Sequence, residues 1–151
     1  MFLMNTIEQL NDIHQKEEFW LKKKMPEEES LRYHSTMHER GNIVTAERDG
    51  KVVGYFEVWK INFEQWGRIV CHAPISGYLE DVQSGNIAYV ANVWIDKAYR
   101  QGSVVKELKK KFFETTYMCD YFVGQALRKT ASQPVKVFKK EDLVSRFYKG
   151  E

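Results

Sequence analysis

Apolar residues first recur along the chain at helical intervals: Ile7, Leu10 and Ile13, then Phe19, Trp20 and Leu21, with Asn5 or Thr6 placed to cap them. This spacing predicts an amphipathic first helix. Pro26 followed by Glu27, Glu28 and Glu29 marks the start of a second, because proline forfeits no needed amide there and carboxylates favour the positive end of the helix dipole. That helix is expected to run to Arg40 and stop at Gly41. The period then changes to two. Ile43 to Glu47, the turn Arg48-Asp49-Gly50-Lys51 and Val52 to Ile61 read as a hairpin, since Asp-Gly supplies a positive-φ turn between two β-rich runs. From Asn62 to Gly85 aromatic residues mix with Gly67, Pro74, Gly77 and Ser84-Gly85, which predicts turns with a strand over Arg68 to His72. Ile87 to Ile95 alternates Ile87, Tyr89, Ala91, Val93 and Ile95 with Ala88, Val90, Asn92 and Trp94; both faces are largely apolar, as in a central strand. Val104, Val105, Leu108 and Phe112 return to helical spacing with Lys106, Lys109 and Lys110 outside, predicting a helix over Ser103–Thr116. Tyr121 to Leu127 reads as a strand parallel to the previous one, reached by a right-handed crossover. Pro134–Phe138 and Leu143–Tyr148 read as a closing hairpin around Lys139-Lys140-Glu141-Asp142.

At 151 residues and 43% hydrophobic, the chain suits a single domain over residues 1–151 that buries its own core without disulfides or metal. Cys71 and Cys119 lack the close spacing of a zinc or redox motif and read as free thiols. Asn5, Glu8 and Asp12 interrupt the N-terminus before an apolar run of membrane-spanning length develops, so a soluble, cytoplasmic protein with no membrane partner is expected. Charge is unevenly distributed. Residues 1–96 hold 10 Lys and Arg against 15 Asp and Glu, residues 97–151 hold 13 against 6, and the two parts carry −5 and +7. A basic final third suits a phosphorylated ligand, an acidic carrier protein or nucleic acid.

The segment with most chemistry is Val93-Trp94-Ile95-Asp96-Lys97-Ala98-Tyr99-Arg100-Gln101-Gly102-Ser103-Val104-Val105-Lys106-Glu107-Leu108. A hydrophobic strand, an Arg-Gln-Gly turn and the start of a helix follow one another, and unpaired amides at a helix start are a natural seat for a pyrophosphate. The segment resembles the GNAT superfamily of acyl-CoA-dependent N-acyltransferases. The resemblance implies an α+β fold, a GNAT-like twisted mixed β-sheet flanked by helices, with its C-terminal part shortened. It implies an acyl-CoA co-substrate, acetyl-CoA above all, and an amine acceptor, with no metal. Val93 and Ile95 would align the pantetheine, while Arg100, Gln101, Gly102, Ser103, Val104 and Val105 would hold the pyrophosphate. An ungapped overlay puts Ser103 at the family's first glycine and Val105 at its final Gly/Ala, with Gly102 one residue early. Either a valine crowds the cofactor, or a shortened loop uses Gly102 for the close approach.

GNAT enzymes often place a carboxylate or histidine on the central strand as base and a tyrosine on a later helix as acid. This strand carries Tyr89 and Asn92, and Arg128 to Gln133 is too short for the later helix. Tyr89 is therefore assigned to protonate the leaving thiolate and Asn92 to orient a water or the amine, with Glu57, Glu80 or Asp81 as a water-relayed base. Tyr89 and Asn92 can serve together only if a bulge or splay overcomes the strand's alternation. The other reading is a GNAT-shaped binding module without turnover.

A second resemblance is to the toxin-activating lysine acyltransferases, through Arg48-Asp49 before Val53-x-Tyr55, Ser84-Gly85, Trp94-Ile95, and Gly102 with Lys106 and Lys109-Lys110-Lys111-Phe112. It implies an acyl carrier protein as donor and a protein lysine as acceptor. Asn92 stands near that family's aspartate, and His14 lies too far upstream of Arg48 for its histidine. The shortened C-terminal part and altered glycine loop also resemble small acetyltransferase-like proteins of phage genomes. His34 and His38 share a helix face but lack the metalloprotease glutamate and a third ligand. Cys71 and His72, adjacent on a strand, would point apart. Trp59, Phe63 and Trp66 read as core or groove wall rather than a platform for nucleic-acid bases.

Overall fold

Asn5 caps the first helix: its Oδ1 accepts the Glu8 amide at 2.9 Å, and α1 runs from Thr6 to Lys16. The computed structural model describes residues 4–16, 26–70, 81–125 and 135–142, so Phe19, Trp20 and Leu21 fall outside the described residues. Helix α2, Glu27–Glu39, begins behind Pro26 with three glutamates in its first turn. Strands β1, Ile43–Arg48, and β2, Lys51–Ile61, pair antiparallel. Asp49 and Gly50 between them have φ of 54° and 78°, the two positive values that a two-residue type I′ turn requires.

The stretch after β2 departs from expectation. Phe63–Val70 forms helix α3, so Arg68 to Val70 are helical where a strand was expected over Arg68 to His72; Cys71 and His72 lie outside the described residues. The cause is a reciprocal cap. The Gln65 amide donates to Asn62 Oδ1 at 2.7 Å, and the Asn62 amide donates to Gln65 Oε1 at 2.9 Å, satisfying two donors that a helix start leaves orphaned.

Strand β3, Ile87–Ile95, leads through a 3-10 turn at Lys97–Tyr99 into α4, Ser103–Thr116, followed by β4, Tyr121–Gln125, and β5, Val135–Lys139. The five strands lie in the order β1-β2-β3-β4-β5. Strands β3 and β4 are parallel, from Ile87 opposite Tyr121 to Val90 opposite Gly124. The fold is thus α+β with a mixed sheet and flanking helices. Of the expected closing hairpin, the first arm is described, with a helical segment at residues 140–142 after it. β5 takes β4 as its antiparallel partner, and the second arm, Leu143 to Tyr148, lies outside the described residues.

By contact the chain forms two compact units, Met1–Glu57 with Asn92–Phe112, and Val58–Ala91 with Phe113–Glu151. In the first, α4 packs on β2 where Gly54 leaves room: a Cβ there would sit 3.0 Å from Leu108 Cδ1 and 3.4 Å from Val104 Cγ1. Phe56, two residues on, meets the Phe112 ring edge-on at 5.4 Å. Leu10, Met37, Ile43 and Val53 complete that unit's core. The second unit buries Val58, Ile61, Val82, Ile87, Phe122 and Val123. Among the described residues, no helix is long and apolar enough to cross a membrane.

Candidate functional site

The end of β3 and the start of α4 are held by one residue between them. The Asp96 amide donates to Val53 O at 2.9 Å, and its carboxylate caps the 3-10 turn by accepting the Ala98 amide at 3.0 Å. Arg100 then folds back, Nε donating to Ile95 O at 3.0 Å. This occupies the Ile95 carbonyl and leaves both terminal nitrogens of Arg100 without a partner among the described residues. Gly102 follows with φ of 96°, and an added Cβ would meet nothing within 4 Å. The glycine is therefore demanded by the backbone, not by crowding.

The Lys106 amide reaches Gly102 O at 3.3 Å and closes the first turn of α4. The amides of Ser103, Val104 and Val105 precede that bond and have no intrahelical acceptor. Val104 is buried beneath the helix, Val105 is half-buried and Ser103 exposed. Gln101, Gly102 and Lys106 are exposed as well, and Val93 on β3 is 51% exposed. Gly102 is thus the open residue of the turn. The Val104 side chain is spent on the core.

Asn92 lies two residues before Trp94 on β3 and donates from Nδ2 to Glu57 Oε1 at 3.2 Å. The other oxygen of Glu57 accepts the Tyr33 hydroxyl from α2, and Glu57 is only 1% exposed. Tyr89 belongs to the other unit, where its ring meets Trp59 at 5.6 Å and Trp66 at 6.4 Å. These contacts carry register information. Asn92 opposite Glu57 and Asp96 opposite Val53 agree on one antiparallel register. In the unit that holds Tyr89, Lys60 donates to Val82 O at 2.8 Å and accepts the Gly85 amide at 2.9 Å. Of the predicted residues, Asn92 to Val105 belong to one unit and Tyr89 to the other.

A family model described as the acetyltransferase (GNAT) family matches residues 7–117. The chain belongs to the GNAT family. No curated protein matches its sequence. Solved structures are similar in fold. The GphF GNAT-like decarboxylase, solved with isobutyryl-CoA, is 14% identical with a TM-score of 0.50, over 78% of this chain and 60% of its own. The loading GNATL domain of CurA from Lyngbya majuscula is 16% identical with a TM-score of 0.51, over 83% and 63%. Diaminobutyrate acetyltransferase EctA from Paenibacillus lautus, solved with L-2,4-diaminobutyric acid and coenzyme A, is 10% identical with a TM-score of 0.50, over 95% and 67%. This GNAT chain therefore spans under two thirds of the first two.

The other candidates have structural duties in this GNAT chain. Asp81 accepts the Gln83 amide at 2.9 Å and the Ser84 hydroxyl, which makes it a turn-former; Glu80 lies outside the described residues. His34 is buried, donates from Nδ1 to Ser30 O at 2.7 Å, and has its pKa pushed down to about 4 by desolvation. A neutral core imidazole results. Among the described residues, no three His, Cys, Asp or Glu side chains gather as a metal site. Sequence reasoning missed the clamp on α4. Arg48 donates to Glu107 at 3.0 Å and to Ser103 Oγ at 3.3 Å, while Lys111 reaches Glu107 at 2.9 Å and Thr45 O at 2.9 Å. The Lys111 hydrogen bond, ahead of Arg48, holds the Glu107 carboxyl below its ordinary value. Glu47-Arg48 before the hairpin turn and Glu107-x-x-x-Lys111 on the helix were its only traces.

Proposed function

We propose that this GNAT chain is a cytoplasmic N-acyltransferase that moves an acyl group, acetyl above all, from acyl-CoA to an amine. The observation that carries the reading is the turn from Arg100 to Val105. An open glycine, three helix-start amides without intrahelical acceptors and the unpaired end of Arg100 fall within six consecutive residues, followed by an exposed Lys106, a donor set suited to a pyrophosphate. Val104 is buried in the core, and Val105, the valine at the family's final Gly/Ala, is half-buried. Val93 would present backbone groups to the pantetheine arm.

In the reaction the amine nitrogen bonds to the thioester carbon as the carbon–sulfur bond breaks, and one amine proton ends on the departing sulfur. Asn92 would orient the amine, and the Tyr89 hydroxyl would supply the proton to the thiolate and be reprotonated through water by the proton that the amine loses. Each role is tested by turnover of Asn92→Ala and Tyr89→Phe; losses below about threefold, under roughly 1 kcal/mol of barrier, would remove that residue from the mechanism.

A second reading, a GNAT-fold module that binds acyl-CoA without turnover, is favoured by the burial of Glu57, since the carboxylate bonded to Asn92 is sealed from solvent. Calorimetry with acetyl-CoA, followed by thiol release with a panel of primary amines, separates the readings. Binding with release supports the enzyme, binding alone supports the module, and no binding at millimolar acetyl-CoA rejects both.

A further inference from the structure

We infer that Glu57 is a positioning residue that turns Asn92 so that its carbonyl oxygen, not its NH2 group, is presented to the acceptor amine; this rests on the acyltransferase reading above. Both oxygens of Glu57 accept hydrogen bonds, one from the Tyr33 hydroxyl and one from Asn92 Nδ2 at 3.2 Å. A primary amide has its two polar atoms on opposite branches of a plane. Committing Nδ2 inward therefore sends Oδ1 outward, and Oδ1 has no hydrogen-bond partner among the described residues. Glu57 is 1% exposed and cannot meet a substrate itself, whereas Asn92 is half-buried and can. Tyr33 matters because it fixes the carboxylate from α2, so that three elements of one unit determine one amide orientation.

The consequence is a choice of chemistry. An outward NH2 would stabilise an oxyanion on the acyl carbon. An outward oxygen instead accepts a hydrogen bond from an amine N–H and aims the nitrogen lone pair, without itself removing the proton, which passes to water. This excludes Asn92 from the oxyanion role and makes it a selector for acceptors that carry an N–H.

The test inverts the hydrogen bond. In Glu57→Gln, Tyr33 still donates to the one remaining oxygen, so the new NH2 faces Asn92 and turns its amide over. In Glu57→Gln/Asn92→Asp, position 92 again presents an oxygen outward while its other oxygen accepts from the amide introduced at position 57. With acetyl-CoA and Nα-acetyllysine, benzylamine and 1,4-diaminobutane as probe amines, Glu57→Gln should lower kcat about tenfold with KM for acetyl-CoA unchanged, and the double variant should recover to within about threefold. A double variant no better than the single, or a single equal to wild type, overturns the inference. The second measurement needs no substrate: in 15N spectra the Asn92 side-chain amide of the wild type should show one protected, downfield proton that Glu57→Gln or Tyr33→Phe shifts. If that resonance is unmoved in both variants, Glu57 does not hold Asn92, whatever the activity. If it moves but wild type consumes no thioester, the orientation stands and the acyltransferase reading fails.

Discussion

Arg48 reaches from the end of β1 to Glu107 on α4, Nη1 to Oε1 at 3.0 Å, while its Nη2 meets Ser103 Oγ at 3.3 Å. One guanidinium thus ties the hairpin to the first turn of the helix that carries the candidate phosphate seat. Both partners are about a third exposed, with side-chain exposures of 30% and 31%, so the pair is worth only roughly 0.2–1 kcal/mol of stability. Its larger effect is on placement. Arg48→Ala should lower the urea midpoint slightly yet weaken acetyl-CoA binding several-fold in calorimetry, and equal binding by the two proteins would show that α4 needs no clamp.

His34 gives a pH dependence whose sign can be worked out. Burial lowers its folded pKa from 6.5 to about 4, so the unfolded chain takes up a proton first as the pH falls. The stability contributed by the neutral imidazole is complete above pH 6.5, declines as the pH drops, and is gone below about 4. The span corresponds to about 3 kcal/mol. Urea unfolding from pH 7 to 4 should show this slope in the wild type and a shallower one in His34→Gln; parallel slopes would assign the dependence to other groups.

Two glycines of the second unit should respond in opposite directions. A Cβ on Gly85 would lie 1.9 Å from the carbonyl carbon of Ile61, a backbone atom that cannot step aside. Gly85→Ala should cost about 3 kcal/mol or more, or prevent folding. Gly67 lies exposed within α3, where an added Cβ meets nothing within 4 Å. Gly67→Ala should raise stability by about 0.5–1 kcal/mol, because the helix then forms from a less flexible unfolded chain. Melting temperatures that move in the same direction would contradict the local geometry.

What was legible in the sequence is what neighbouring residues decide among themselves. Asp49-Gly50 specifies its own turn, and the change of period across Tyr99 to Ser103 marks the passage from strand to helix. Helix α3 was also legible in principle, since Asn62-x-x-Gln65 is a reciprocal cap, but the surrounding glycines and aromatics obscured it. That Tyr89 packs on Trp59 while Asn92 bonds Glu57 was not legible, because strand pairing sets both partners across distant parts of the chain. Glu57 was visible as a possible base; that its oxygens are taken by Tyr33 and Asn92 depends on residues 24 and 35 positions away. The Arg100–Val105 segment stood out for the opposite reason, since strand end, turn and helix start are consecutive.

That segment yields the last prediction, on cofactor affinity. Arg100 spends Nε on Ile95 O, which fixes the guanidinium and leaves its terminal nitrogens for an anion. Removing the side chain in Arg100→Ala takes away a charge-assisted contact and should weaken acetyl-CoA binding by about 1–3 kcal/mol, with little change in melting temperature because the residue is exposed. Arg100→Lys keeps the charge but loses the tether to Ile95 and the two-pronged contact, so its affinity should fall between the two. Gly102→Ala acts differently. Its φ of 96° is strained for any residue with a side chain, so it should reduce stability and binding together, although no atom obstructs the added methyl group. Titration calorimetry on the three variants, with melting curves alongside, tests the assignment. If Arg100→Ala binds acetyl-CoA as the wild type does, the anion seat is not at this turn.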